Sequence, residues 1–155
     1  MNKKIVIAGA TGFLGRNICS KLIERGDELI ILTRSVEKAK KIIPGASKYI
    51  VWDYSSKEWY EEISGKDAVI NLAGESLLSK RWNDKHKNEV RNSRINSTRV
   101  LVEAISMSSE KPKTFISASA VGFYGNSESG VDELSPKGEG FLAELVDDWE
   151  KEAAK

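Results

Sequence analysis

Cysteine, histidine and proline are almost missing from this chain, whose 155 residues include one, one and three of them. The lone Cys19 has no partner for an internal disulfide, and a single histidine argues against a zinc site of the usual Cys and His type. That cysteine usage fits a reducing, cytoplasmic compartment. Charge of one sign is missing too: 24 Lys and Arg face 23 Asp and Glu, leaving +1. No global field then favours nucleic acid or an anionic membrane, so any anion site has to be local. No apolar run approaches the roughly 20 residues that span a bilayer. The run 5–8 that ends at Gly9 is also too short for the h-region of a secretory signal, about 7–15 residues. What is present, 40% hydrophobic and 30% charged residues over 155 positions, is the composition and size of one globular domain covering 1–155.

Short β-branched runs alternate with helical patterns along the whole chain. The runs 5–8, 29–33, 49–52, 68–72 and 114–118 read as strands, and 13–25, 35–43, 58–64, 83–107 and 140–154 read as helices. Leu14, Ile18, Leu22 and Ile23 share one face of the first helix, Gly26 suits the left-handed position past its end, and Ser35 can N-cap the second. The strand 29–32 is apolar on both faces, as an interior parallel strand is. The stretch 83–107 is weakened in its middle by Asn92, Ser93, Asn96, Ser97 and Thr98, and 121–136 reads as a loop. The alternation predicts an α/β fold: a doubly wound, mostly parallel, Rossmann-like sheet of about five strands with helices on both faces.

The most informative segment is Gly9-Ala10-Thr11-Gly12-Phe13-Leu14-Gly15, a G-x-x-G-x-x-G turn directly between a buried strand and a helix. Gly9 allows the tight turn, Gly12 lets backbone approach a pyrophosphate, and Gly15 lets the helix pack closely on the strand. The N–H groups at Thr11 to Gly15, with the positive end of the helix dipole, then face the phosphates. An acidic residue about 20 positions further on would take the adenine ribose hydroxyls. None is there. The second strand ends Thr33-Arg34-Ser35, so a guanidinium stands where a carboxylate would repel a 2′-phosphate, which favours NADP(H) over NAD(H). Lys38 and Arg16 can add charge; a solvated Arg34 at a strand end is the alternative. Asp53 either meets the adenine amine or closes an exposed turn. His86, beside Lys85 and Lys87, reads as a solvated helix residue rather than a base.

These residues resemble the extended short-chain dehydrogenase/reductase superfamily and, within it, the nucleoside-diphosphate-sugar epimerase-like proteins. Besides the glycine turn, the resemblance rests on Asn71-Leu72-Ala73-Gly74-Glu75-Ser76, Arg81-Trp82, Ser93-Arg94-Ile95, Ser97-Thr98-Arg99, the run 117–125 and Trp149-Glu150. It implies that Leu72, Ala73 and Gly74 line the nicotinamide side of the cofactor. Ser119 would hold the position of the active-site serine, and Asn96 that of a helix asparagine positioning a proton-relay water. The superfamily's acid/base Tyr and the Lys four residues later are replaced here by Phe141 and Leu145, neither of which moves a proton. Tyr124 is then either a substitute acid/base or a loop tyrosine packing its ring. The resemblance also implies members about twice this length with a C-terminal substrate domain, and dimers formed through the two longest helices. Two functions stay open. One is an NADP-dependent epimerase or oxidoreductase whose partner is a small hydroxyl-bearing substrate such as a nucleotide sugar. The other is a non-catalytic NADP-binding module with a protein-interaction or division-related role. The fifth strand carries no charge or proline of the kind that protects a sheet edge, so self-association is expected.

Overall fold

The computed structural model describes residues 2–155. Five parallel strands, β1 (Lys4–Ala8), β2 (Glu28–Thr33), β3 (Lys48–Val51), β4 (Ala68–Asn71) and β5 (Thr114–Ser117), pair in the order β3-β2-β1-β4-β5. The central strand β1 is in register with β2 on one side, Val6 opposite Ile30, and with β4 on the other, Val6 opposite Val69. Parallel neighbours need crossovers, and helices supply most of them. They are α1 (Phe13–Glu24), α2 (Val36–Ile42) and α3 (Asp84–Met107), with α4 (Phe141–Ala153) after β5.

The strands alternate between two cores. Val6, Ala8, Ile30, Leu32 and Val69 point toward Leu101 and Ala104 of α3, together with Trp52, Trp59 and Ile63. Ile5, Ile7, Leu29, Ile31 and Ile70 point the other way, toward Cys19 of α1 and Ala39 of α2. Burial on both faces is why these strands are apolar throughout, and the fold is the expected doubly wound α/β sheet. Burial also pushes the Cys19 thiol up to about 11, so it stays protonated and inert at neutral pH. The segment Glu58–Ile63, expected as a short helix, is a 3-10 helix.

The polar middle of α3 has a packing reason. Ser97 and Thr98 are fully buried, and the Ser97 hydroxyl donates to the Arg94 carbonyl. Thr98 Oγ1 accepts from Asn71 Nδ2 at 2.9 Å and from Trp149 Nε1 at 2.8 Å. A helix whose middle looks weak by propensity is held by bonds to β4 and α4.

Candidate functional site: a cleft at the switch point of the sheet

From β1 the chain moves outward to β2 and β3, then returns across the sheet to β4. Open α/β sheets bind ligands at the carboxyl ends of the strands where the order reverses. Here that point lies between β1 and β4, and a cleft of about 800 Å³ opens there.

The glycine turn forms its floor. Gly9 has φ +80°, and a Cβ there would lie 2.5 Å from the Leu72 carbonyl, so only glycine lets the ends of β1 and β4 approach this closely. At Gly15 a side chain would overlap the Gly9 carbonyl and Ala10, so this glycine seats α1 on the turn. Gly12 differs: its φ of −74° and ψ of 177° are ordinary extended backbone, and a Cβ would meet only the Gly9 oxygen, at 3.3 Å. Thr11 and Gly12 line the cleft, whereas Phe13 and Leu14 turn their side chains to solvent in the first turn of α1. That turn has neither a side-chain cap nor an acidic residue, so its N–H groups are open to an anion. Arg16 lies over the Phe13 ring, 5.6 Å from its centroid.

On the β2 side the cleft is lined by Arg34, Ser35 and Lys38, with no carboxylate from Thr33 to Lys38 except the outward Glu37. Ser35 caps α2 by accepting from the Lys38 N–H, which sets the backbone from which both cations extend beside the cleft. Asp53 lines it too, and Oδ1 accepts from the Ser55 and Ser56 N–H groups, each at 2.8 Å. Those bonds hold its carboxyl below the usual carboxylate range. It therefore closes a turn and faces the cleft at once. Beside it, burial pushes the Tyr54 phenol up while the Arg34 guanidinium opposes the shift.

On the far side, Leu72, Ala73, Gly74 and Glu75 form the wall that follows β4. Asn71 Oδ1 accepts from the Ala73 N–H, and Ser93 Oγ accepts from the Glu75 N–H at 2.9 Å. One stripe of α3, Glu89, Asn92, Ser93 and Asn96, completes the lining, at the three- and four-residue spacing that shares a helix face. Lys80 Nζ sits 2.6 Å from Glu89 and 3.8 Å from Glu75. Sequence reasoning missed Lys80 and Glu89; the polar i, i+3, i+4, i+7 spacing was the one signal for Glu89, and Lys80, on the loop before α3, had none.

The proposed catalytic positions separate. Asn96 lines the cleft, while Ser119 and Tyr124 do not. The Ser119 hydroxyl donates to the Glu150 carboxylate, and Tyr124, in the 3-10 segment Val121–Tyr124, sets its ring edge-on to Phe123 at 5.3 Å. Phe141 packs edge-on against Trp82 at 5.7 Å, and Leu145 is buried. The expectation for His86 is corrected: it is 1% exposed, with Nε2 3.2 Å from the Leu77 carbonyl and Trp82 edge-on to its ring. The flanking lysines suggested solvent, but the 75–83 loop folds back over the start of α3 and covers it. Among the described residues no group of three or more His, Cys, Asp or Glu is placed to hold a metal ion, and no helix is long and apolar enough to cross a membrane.

Comparison with known proteins matches residues 5–141 to the family model "NAD dependent epimerase/dehydratase family". The chain is 40% identical over 154 residues to the epimerase family protein SDR39U1 homolog, chloroplastic, of Arabidopsis thaliana, covering 97% of this chain and 44% of that protein. It superposes on human epimerase family protein SDR39U1, whose crystal structure is with NADPH, with TM-score 0.80 and 33% identity over 97% of this chain and 48% of that one. A nucleoside-diphosphate sugar epimerase from Corynebacterium glutamicum matches with TM-score 0.79 and 35% identity, over 99% of this chain and 31% of that one. The chain spans about half the length of the curated relatives it matches.

Proposed function

Because this chain belongs to the NAD dependent epimerase/dehydratase family, we propose that it is the NADP(H)-binding domain of an epimerase or oxidoreductase of the extended short-chain dehydrogenase type. One observation carries the choice of cofactor: Arg34, Ser35 and Lys38 line the β2 side of the cleft, where an NAD-selective site would place a carboxylate. The dinucleotide would lie across the switch point, its 2′-phosphate at Arg34 and its adenine by Asp53 and Tyr54. Its pyrophosphate would meet the N–H groups of Thr11 and of Phe13 to Gly15, the Gly12 N–H being held by the Gly9 carbonyl at 3.1 Å, and its nicotinamide half would run toward Leu72, Ala73 and Gly74. NADPH in the crystal structure of the human relative supports this reading. The substrate class is a nucleotide sugar or a related hydroxyl-bearing small molecule, and the cytoplasm is the proposed compartment.

Asn96 is the cleft-lining candidate for proton handling, with Ser119 and Tyr124 proposed to join it when substrate is bound. A second reading is favoured by Phe141 and Leu145, which leave α4 without the usual acid/base pair: a cofactor-binding module that meets another protein instead of turning over. Two measurements separate the readings. NADPH is expected to raise the melting temperature, and its absence of effect would refute both. Oxidation of NADPH with any member of a panel of carbonyl compounds, including nucleotide-linked keto sugars, supports the enzyme over the module.

Self-association is proposed from the sheet. Among the described residues strand β5 pairs only with β4, and Ile116 on it is 49% exposed. An unprotected strand edge is a template for a second chain. Sedimentation at rising concentration is expected to show a species heavier than 17.2 kDa. A chain that stays monomeric up to about 100 μM, far above ordinary micromolar affinities, would refute the edge argument.

A further inference from the structure

The motifs Asn71 to Glu75, Ser93-Arg94, Thr98 and Trp149 are scattered over the sequence, yet the structure joins them into one network behind the far wall of the cleft. Arg94 does not line the cleft. Its Nη1 donates to the Glu75 carbonyl at 3.0 Å and to the Val90 carbonyl at 3.1 Å. The guanidinium lies over the Trp149 indole, 5.4 Å from the ring centroid. A Cβ at Gly74 would sit 3.1 Å from Arg94 Cζ, so the wall rests directly on the guanidinium and a larger residue at Gly74 would displace it. Trp149 is itself fixed, because its Nε1 donates to the buried Thr98, which also accepts from Asn71. Asn71 in turn holds the Ala73 N–H.

We infer that Arg94 is a positioning residue for the dinucleotide: held between the Trp149 indole and the Glu75 carbonyl, it sets the Gly74-Glu75 wall at the distance the nicotinamide half of NADP(H) requires. In this chain α4 therefore acts on the cofactor cleft through Trp149 and Arg94, while Phe141 packs between Trp82 and the Lys87 ammonium and Leu145 is buried. Burial disfavours the charged form of Arg94 and the Glu75 carboxylate nearby favours it. A half-buried guanidinium keeps its charge here because a carbonyl, an aromatic face and a carboxylate surround it. This inference rests on the NADP(H) reading and deepens it.

The test uses two ligands that divide the cleft. The 2′-phosphate of 2′,5′-ADP at Arg34 and its adenosine occupy the β2 and β3 side, and its 5′-phosphate ends at the glycine turn, whereas NADPH also crosses to the wall after β4. Arg94→Met keeps the length and removes every donor; Arg94→Lys keeps the charge and removes the planar fork. For Arg94→Met, NADPH is expected to weaken about 10-fold or more, the size of one hydrogen bond to a charged group, with 2′,5′-ADP unchanged. Arg94→Lys is expected to fall between Arg94→Met and the unaltered chain, and it carries the test should Arg94→Met fail to fold. Equal weakening of both ligands would overturn the inference, since general destabilisation does that, and so would unchanged NADPH affinity in a folded variant. If the unaltered chain binds neither ligand, the NADP(H) reading itself falls, and the inference with it.

Discussion

Gly12→Val is expected to abolish NADPH binding, a loss of at least about 100-fold, while the protein stays folded. The three glycines of the turn differ physically, and that difference makes the result informative. At Gly9 a side chain faces both a left-handed φ of +80° and the Leu72 carbonyl, and at Gly15 it overlaps the turn itself. Changes there cost stability as well as binding. At Gly12 the backbone, with φ −74° and ψ 177°, is a conformation that valine adopts readily. The only close atom is the Gly9 oxygen at 3.3 Å, and beyond it the Cβ faces the cleft. The valine methyls then fill space meant for the pyrophosphate and shield the N–H groups of α1. Circular dichroism and a melting curve close to those of the unaltered chain, together with no NADPH fluorescence change, are the expected pair of results. Retained affinity in the folded variant would remove the phosphate role of the turn.

Arg34→Ala is expected to weaken NADPH by about 10- to 150-fold, which corresponds to about 1.5–3 kcal/mol for a hydrogen bond to a charged group. NADH has no 2′-phosphate and is expected to change little. Arg34 is exposed, so the effect should shrink as salt rises and screens the pair. Lys38, one turn into α2 and also on the cleft, supplies a second cation, and the double variant should lose more than either single one. Parallel titrations of both cofactors check this; equal loss for NADPH and NADH would show that Arg34 supports the fold of the turn and not the phosphate.

The sheet and the glycine turn were legible because their signals are local. The strand at 29–33 announces itself by an apolar run, and the turn by glycines at fixed offsets between a strand and a helix. Arg34 was legible for the same reason, standing at a strand end where a carboxylate is expected. Other parts of the site are built from distant residues. Thr98 weakens α3 when read alone, and its reason lies 27 residues away at Asn71 and 51 away at Trp149. His86 reads as exposed between two lysines, because its burial depends on how the 75–83 loop closes over it. Lys80 reaches the cleft on that same loop, where no periodicity marks it. Arg94 could be quoted as part of a motif, but the motif said nothing of the carbonyl it holds or the indole beneath it.

This cleft is proposed to bind a dinucleotide and to select the one with a 2′-phosphate. Isothermal titration of one preparation with NADPH and with NADH tests it most directly. One site per chain is expected, with NADPH bound at least about 10-fold more tightly, as one phosphate held by a guanidinium gives. Equal affinities, or tighter binding of NADH, would contradict it.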